Sequence, residues 1–205
     1  MMPTIQKKQR VPRQLNPPEN IARFSVSCYH EMIAGGIFGE DDRLELINGW
    51  IVDKMTINPQ HANCVRTLNR LLGRIFTDDA WVVGCQDPIT LTTSEPEPDL
   101  FIAIGLGKKY RDTHPTPKDV ALVIEIADTS LVFDQTIKLM MYAAAKIPQY
   151  WVVNLLEKRV EVFTLPRGGQ NPTYKMQQNY AIETDVPLVL RGQELGSLPV
   201  REFLL

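Results

Sequence analysis

The sequence predicts an α/β domain built on a mixed β-sheet, and three observations predict it. Val120-Ala-Leu-Val-Ile-Glu-Ile-Ala127 is apolar on both strand parities, as expected of a central strand covered on both faces. Two helical patterns, with apolar residues three and four apart, run from His61 to Phe76 and from about Phe133 to Lys146. Two pairs of β-prone runs read as hairpins. The resulting order of helix, hairpin, helix, strands, helix and hairpin is that of an α/β domain.

Each element has a local cause. The first 20 residues hold Pro3, Pro12, Pro17 and Pro18 and read as a mobile arm, so residues 1–23 are assigned to an arm and 24–205 to one domain. Ser25 is placed to cap a helix that runs to Gly35 and Gly36, where glycine supplies the positive φ of a helix end. Leu44 to Ile47 and Trp50 to Asp53 flank Asn48-Gly49, a dipeptide suited to the two left-handed positions of a type I′ turn. In the next helix Val65, Leu68, Leu71, Leu72, Ile75 and Phe76 make one apolar face. Trp81 to Cys85, Ile89 to Thr92 and Asp99 to Ile104 then read as three strands, separated by Pro88 and Ser94-Glu-Pro-Glu-Pro98. Gly105 to Asp119, with its glycines, prolines and Lys108, Lys109, Arg111 and Lys118, reads as a surface loop. Pro148 ends the helix that follows the central strand. Tyr150 to Leu155 and Val160 to Leu165 form the second hairpin, and weaker strand signals stand at Tyr174 to Gln178 and Leu188 to Leu190.

Composition narrows the functional classes. The chain is 44% hydrophobic and 22% charged, with no apolar run near the roughly 18 residues that a bilayer span needs, which predicts a soluble globular protein. A net charge of -2 implies that any nucleic-acid contact comes from local patches, such as the arm and the 105–119 loop. Cys28, Cys64 and Cys85 are odd in number and lack CxxC spacing, so neither a disulfide framework nor a structural zinc site is expected. A reducing cytoplasm fits that pattern, and the arm lacks the apolar block of a secretory signal.

Three carboxylates stand out. Glu125 interrupts the most apolar strand, where an unpaired charge costs several kcal/mol and demands a partner or a metal. Asp99 opens a strand after Pro98, at a sheet end. Glu45 lies on the opposite pleat face from Leu44 and Leu46. Singly, each has a bland explanation: a turn cap for Asp99, a surface pair with Arg43 for Glu45, a buried salt bridge for Glu125. Together, two carboxylates on separate strands beside a backbone carbonyl make an oxygen-rich site suited to Mg2+ or Mn2+. Lys138 supplies the basic group. It follows Asp134 by four residues, a spacing that puts both on one helix face.

Leu44-Glu-Leu-Ile-Asn-Gly49, Asn58-Pro-Gln-His61, Gln86-Asp-Pro88, Glu95-Pro-Glu-Pro-Asp99, Val123-Ile-Glu-Ile-Ala-Asp-Thr-Ser130, Asp134 to Lys138 and Ile147-Pro-Gln-Tyr-Trp-Val-Val153 together resemble the Uma two family of endonucleases. That family belongs to the PD-(D/E)xK restriction-endonuclease-like superfamily, and the likeness runs from about Phe24 to the C-terminus. The resemblance implies a restriction-endonuclease-like core, a mixed sheet flanked by helices, and a homodimer that hydrolyses DNA phosphodiester bonds with Mg2+ or Mn2+. It implies metal ligation by Asp99, Glu125 and the Ile126 carbonyl. Lys138 would position the attacking water, Glu45 would serve as a second-metal ligand or base, and Asp134 and Gln86 would support them. Lys108, Lys109 and Arg111 are the expected DNA contacts. The usual motif lysine, two residues after the second acid, is Ala127 here, so the basic role passes to Lys138. His61 also matches a family position, but a lone histidine at a helix start reads as a cap or interface residue. The alternative reading is a nucleic-acid-binding or regulatory protein on the same fold with little turnover. A two-carboxylate glycosidase leaves Lys138 unexplained.

Overall fold

The structure is a computed structural model that describes residues 21–39, 42–54, 58–77 and 80–204. Most of the expected arm, residues 1–20, lies outside that set. Helix α1 (Val26–Ala34) starts where Ser25 Oγ accepts from the Cys28 amide and stops at Gly35, as the capping pattern requires. The hairpin β1 (Leu44–Ile47) and β2 (Trp50–Asp53) turns through Asn48 and Gly49 at φ of 51° and 79°, the two left-handed positions expected of that dipeptide. Helix α2 (Pro59–Ile75) begins at Asn58, whose side chain caps the His61 amide, and Pro59 occupies a first-turn position where a missing N–H costs nothing.

A six-stranded sheet forms the centre: β3 (Trp81–Cys85), β4 (Leu100–Ile104), β5 (Val120–Ala127), β6 (Gln149–Asn154), β7 (Arg159–Arg167) and β8 (Thr173–Ala181), in that spatial order. Its one parallel pair is β5 with β6, and the helical crossover between them explains why. That crossover runs through α3 (Leu131–Phe133), a π-helical turn (Asp134–Lys138) and α4 (Leu139–Ala144). All eight residues of β5 are buried, as its unbroken apolarity requires. Strand alternation sends Leu122, Ile124 and Ile126 toward Val65, Leu68 and Leu72 of α2, together with the β9 (Asp185–Leu190) and β10 (Gln193–Pro199) hairpin and α5 (Arg201–Leu204). Val123 and Ala127 pack on the other face with Met141, Tyr142 and Ile147.

Two expectations need correction. Ile89 to Thr92 is not a strand. Pro96 and Pro98 carry no amide donors, and the segment folds on itself instead, with Ile89 N donating to Pro96 O and Leu91 N to Ser94 O. Ile89 and Leu91 are buried nonetheless, so their apolarity marks a core plug rather than a sheet partner. The C-terminal signals were too short: β8 has nine residues, mostly exposed and polar, and Arg191-Gly192 turns a complete hairpin that strand propensity only half reveals. Cys28, Cys64 and Cys85 are free, and no helix among the described residues is long and apolar enough to cross a membrane.

Candidate active site

The open end of the first hairpin, the starts of α2 and β4, the end of β5 and the π-helical turn meet in a cleft of about 330 Å³. Four buried carboxylates lie there: Glu45, Asp99, Glu125 and Asp134. Asp99 leads into β4 directly beside the end of β5, since Leu100 registers with Ile124. Its Oδ2 accepts the Ile126 amide at 2.8 Å and lies 3.0 Å from His61 Nε2. Both bonds fall on one oxygen, and neither uses Oδ1. The Ile126 backbone therefore sits against the Asp99 carboxylate.

Glu125 is on the other face of β5, under the crossover helix. Its Oε1 accepts from Lys138 Nζ at 2.9 Å and from the Tyr142 hydroxyl at 2.8 Å. Lys138 Nζ is also 3.6 Å from Glu45 Oε1, and Glu45 Oε2 accepts the Glu97 amide at 3.2 Å. Thus the lysine expected from the helix reaches both expected strand acids. Its anchor is Glu125 rather than Asp134, which acts on it through charge alone. The π-helical turn is the local reason for this geometry: the Leu139 amide reaches back five residues to Asp134 O, widening the coil where Asp134 and Lys138 face the cleft.

Electrostatics follow from burial and charge count. Burial pushes the Glu125 carboxyl up to about 8, against the pull of Lys138 and with the help of Asp134, Asp99 and Glu45. Burial likewise raises Asp134 to about 6. It acts to lower Lys138, but Glu125, Glu45 and Asp134 outweigh it and hold the ammonium well above its ordinary value. Four carboxylates thus surround one committed cation. Among the described residues no three His, Cys, Asp or Glu side chains converge as a ready metal cage. The carboxylates of Asp99 and Glu125 and the Ile126 carbonyl are oxygen donors of the type a hard divalent ion would take, since Mg2+ binds one or two carboxylates and keeps its waters.

The family follows from the sequence between these residues. A model described as "Uma2: Putative restriction endonuclease" matches residues 26–200. The chain belongs to the Uma2 family. A crystal structure described as a "putative nuclease belonging to DUF820" from Anabaena variabilis superposes with a TM-score of 0.65 at 12% identity, covering 88% of this chain and 97% of that one. It shares the fold. No curated protein matches the sequence.

The remaining expected site residues divide. Gln86 lines the cleft at a φ of 57°, with its backbone N–H donating to the Asp99 carbonyl at 3.2 Å. Lys108 and Lys109 lie in a 3-10 turn, Gly107–Tyr110, beyond the end of β4 opposite to Asp99. Lys109 is bound to Asp119 at 2.7 Å. Arg111 lines a neighbouring groove that shares Glu97 with the cleft, so the structure brings none of these three to the acidic centre. Sequence reasoning set His61 aside and missed Lys54, which forms an ion pair with Glu97 across the cleft. Lys54 was available from the hairpin register, because Glu45 pairs with Val52 and the next same-face pair outward is Arg43 with Lys54. No spacing rule joins His61 to Asp99; only the fold does.

Proposed function

We propose that the protein is a Mg2+- or Mn2+-dependent endonuclease that hydrolyses phosphodiester bonds in DNA. The observation that carries this reading is the meeting of Glu125 and Glu45 on one helix-borne ammonium, with Asp99 pinned at the adjacent strand end. Membership of a family described by restriction endonucleases supports it. Asp99, Glu125 and the Ile126 carbonyl would hold the metal, and a bound hard cation would supply Lewis-acid polarisation of a phosphoryl oxygen and acidification of a bound water.

The chain's own groups have definite tasks. Lys138, fully charged, donates toward the space between Glu125 and Glu45, where it orients a nucleophilic water and stabilises charge on a phosphoryl oxygen. Tyr142, whose hydroxyl burial keeps protonated, fixes the Glu125 carboxylate from behind. Glu45 faces the same ammonium from the hairpin and is the group placed to accept a proton from the attacking water. One cleft serves one strand, so the homodimer implied by the family likeness would set two clefts for two strands.

The test is plasmid DNA incubated with purified protein and Mg2+ or EDTA. Cleavage with Mg2+ alone is expected, and Asp99→Ala and Glu125→Ala are each expected to abolish it while circular dichroism stays native. Normal cleavage by either folded variant removes the metal assignment.

A further inference from the structure

The acidic cleft sets an electrostatic problem that its centre does not solve. Its four buried carboxylates face one buried ammonium, and Lys138 is already bound to Glu125 and 3.6 Å from Glu45. A phosphodiester entering this space brings a further negative charge, and with Lys138 and a bound metal committed to the reacting phosphoryl group, a cation that anchors the strand beside it belongs on the rim. Arg43 and Lys54 line that rim. They stand opposite each other at the open end of the hairpin, where Lys54 N donates to Arg43 O at 2.8 Å. Strand alternation puts Arg43 on the face that carries Glu45, two residues on, so the hairpin presents its cations immediately outside its acid. Like charges directly opposite on one face repel, and burial further disfavours the Lys54 ammonium. Only an anion makes such a pair favourable.

Glu97 is that anion for Lys54, which pairs with it across the cleft. No ion pair or side-chain hydrogen bond holds Arg43 among the described residues. Glu97 also lines the adjoining groove of about 740 Å³, which runs past Tyr29, Pro88, Tyr110 and Arg111, so the Lys54–Glu97 pair stands on the boundary between the two concavities.

We propose that Arg43 and Lys54 form the phosphate-binding site of the cleft, taking a backbone phosphate of a nucleic-acid strand, and that Lys54 exchanges Glu97 for that phosphate on binding. The ligand assignment rests on the DNA-hydrolase reading above. The exchange keeps Lys54 compensated throughout, and it leaves Glu97 as a built-in competitor that sets how tightly the free protein takes up a strand.

Binding of a short fluorescent duplex, with Ca2+ in place of Mg2+ and over a series of salt concentrations, tests this. Lys54→Gln and Arg43→Gln are each expected to weaken binding roughly tenfold, the scale of a lost charge-assisted hydrogen bond, and each to flatten the salt slope by about one. Lys54→Arg should retain most of the affinity, which separates charge from hairpin damage. Glu97→Gln should tighten binding several-fold in the parent and not at all in Lys54→Gln. Equal tightening in both backgrounds would mean general charge relief and would overturn the exchange. A parent that holds and cuts DNA while Lys54→Gln and Arg43→Gln bind equally well overturns the site and leaves the nuclease reading intact. Pyrophosphate in EDTA separates the converse case. If it raises the melting temperature of the parent but not of Lys54→Gln, in a protein that ignores DNA, the phosphate site stands and the nuclease reading falls. A parent indifferent to both probes overturns both.

Discussion

Asp99 shows how much one carboxylate here depends on its neighbours. Its Oδ2 is held by the Ile126 amide and by His61 Nε2, whereas His61 Nδ1 is buried without a partner among the described residues. The ring's hold on its surroundings is thus the Nε2 contact with Asp99 Oδ2 at 3.0 Å. His61 therefore orients Asp99. We expect His61→Leu to lower Mg2+ affinity by roughly 10- to 100-fold, the range for losing a group that orients a metal ligand. His61→Gln, whose amide nitrogen reaches farther toward the Nε2 position than that of Asn, should recover part of it. Titration calorimetry with Mg2+ decides the matter; an unchanged affinity in His61→Leu would reduce the ring to packing. Glu125 was legible in the sequence because a carboxylate in an apolar strand is costly without a purpose, Asp99 and Glu45 because they stand at a sheet end and on the polar face of a hairpin, and Lys138 only once those acids gave it a role. His61 and Lys54 were not, because a histidine at a helix start and a lysine after a hairpin have ordinary explanations until the fold sets them beside an acid.

At the scale of elements, the strand pair β3–β4 carries a constraint invisible in propensity. Gly84 registers with Phe101, and a Cβ on Gly84 would come within 2.1 Å of the Phe101 ring. The glycine is a seat for the aromatic ring, and the ring helps to seal the sheet face beneath the hairpin. Gly84→Ala should cost about 1–3 kcal/mol through overpacking, read as a lower urea midpoint. An unchanged midpoint would mean that Phe101 has somewhere else to go. The β4–β5 connection offers a second test. Burial acts to raise the Asp119 carboxyl, but the bonds from Lys109 and Thr116 outweigh it and hold it down to about 2. A carboxyl lower in the folded than in the unfolded state stabilises the fold above the ordinary value of 3.8, and that stability is lost as pH falls through about 2. Asp119→Asn should therefore melt below the parent at pH 7, with the gap closing between pH 4 and pH 2. A gap that does not change with pH would refer the effect to packing. Lys109 in this reading ties down its loop, which explains why composition pointed to it as a DNA contact: a basic, glycine-rich loop looks the same in sequence whether its lysine meets a phosphate or an aspartate.

Across the whole molecule, the periodic elements and the Asn-Gly turn were readable because burial on one face or two leaves a repeat in the sequence. The π-helical turn and the Ile89 plug were not, since one depends on a single extra residue per coil and the other on prolines that deny a strand its donors. What the fold adds is convergence: β1, β4, β5 and the crossover helix bring Glu45, Asp99, Glu125 and Lys138 into one cleft although 93 residues separate the first from the last. The central claim is that this convergence is catalytic, and Lys138→Met tests it most directly in Mg2+-dependent plasmid cleavage read beside Mg2+ affinity. Loss of one preorganised electrostatic group should slow cleavage by roughly 100-fold or more while Mg2+ binding changes little, and Lys138→Arg should rescue poorly because a planar fork replaces a compact ammonium. Cleavage by Lys138→Met at the parent rate, or parent cleavage that persists in EDTA, would contradict it.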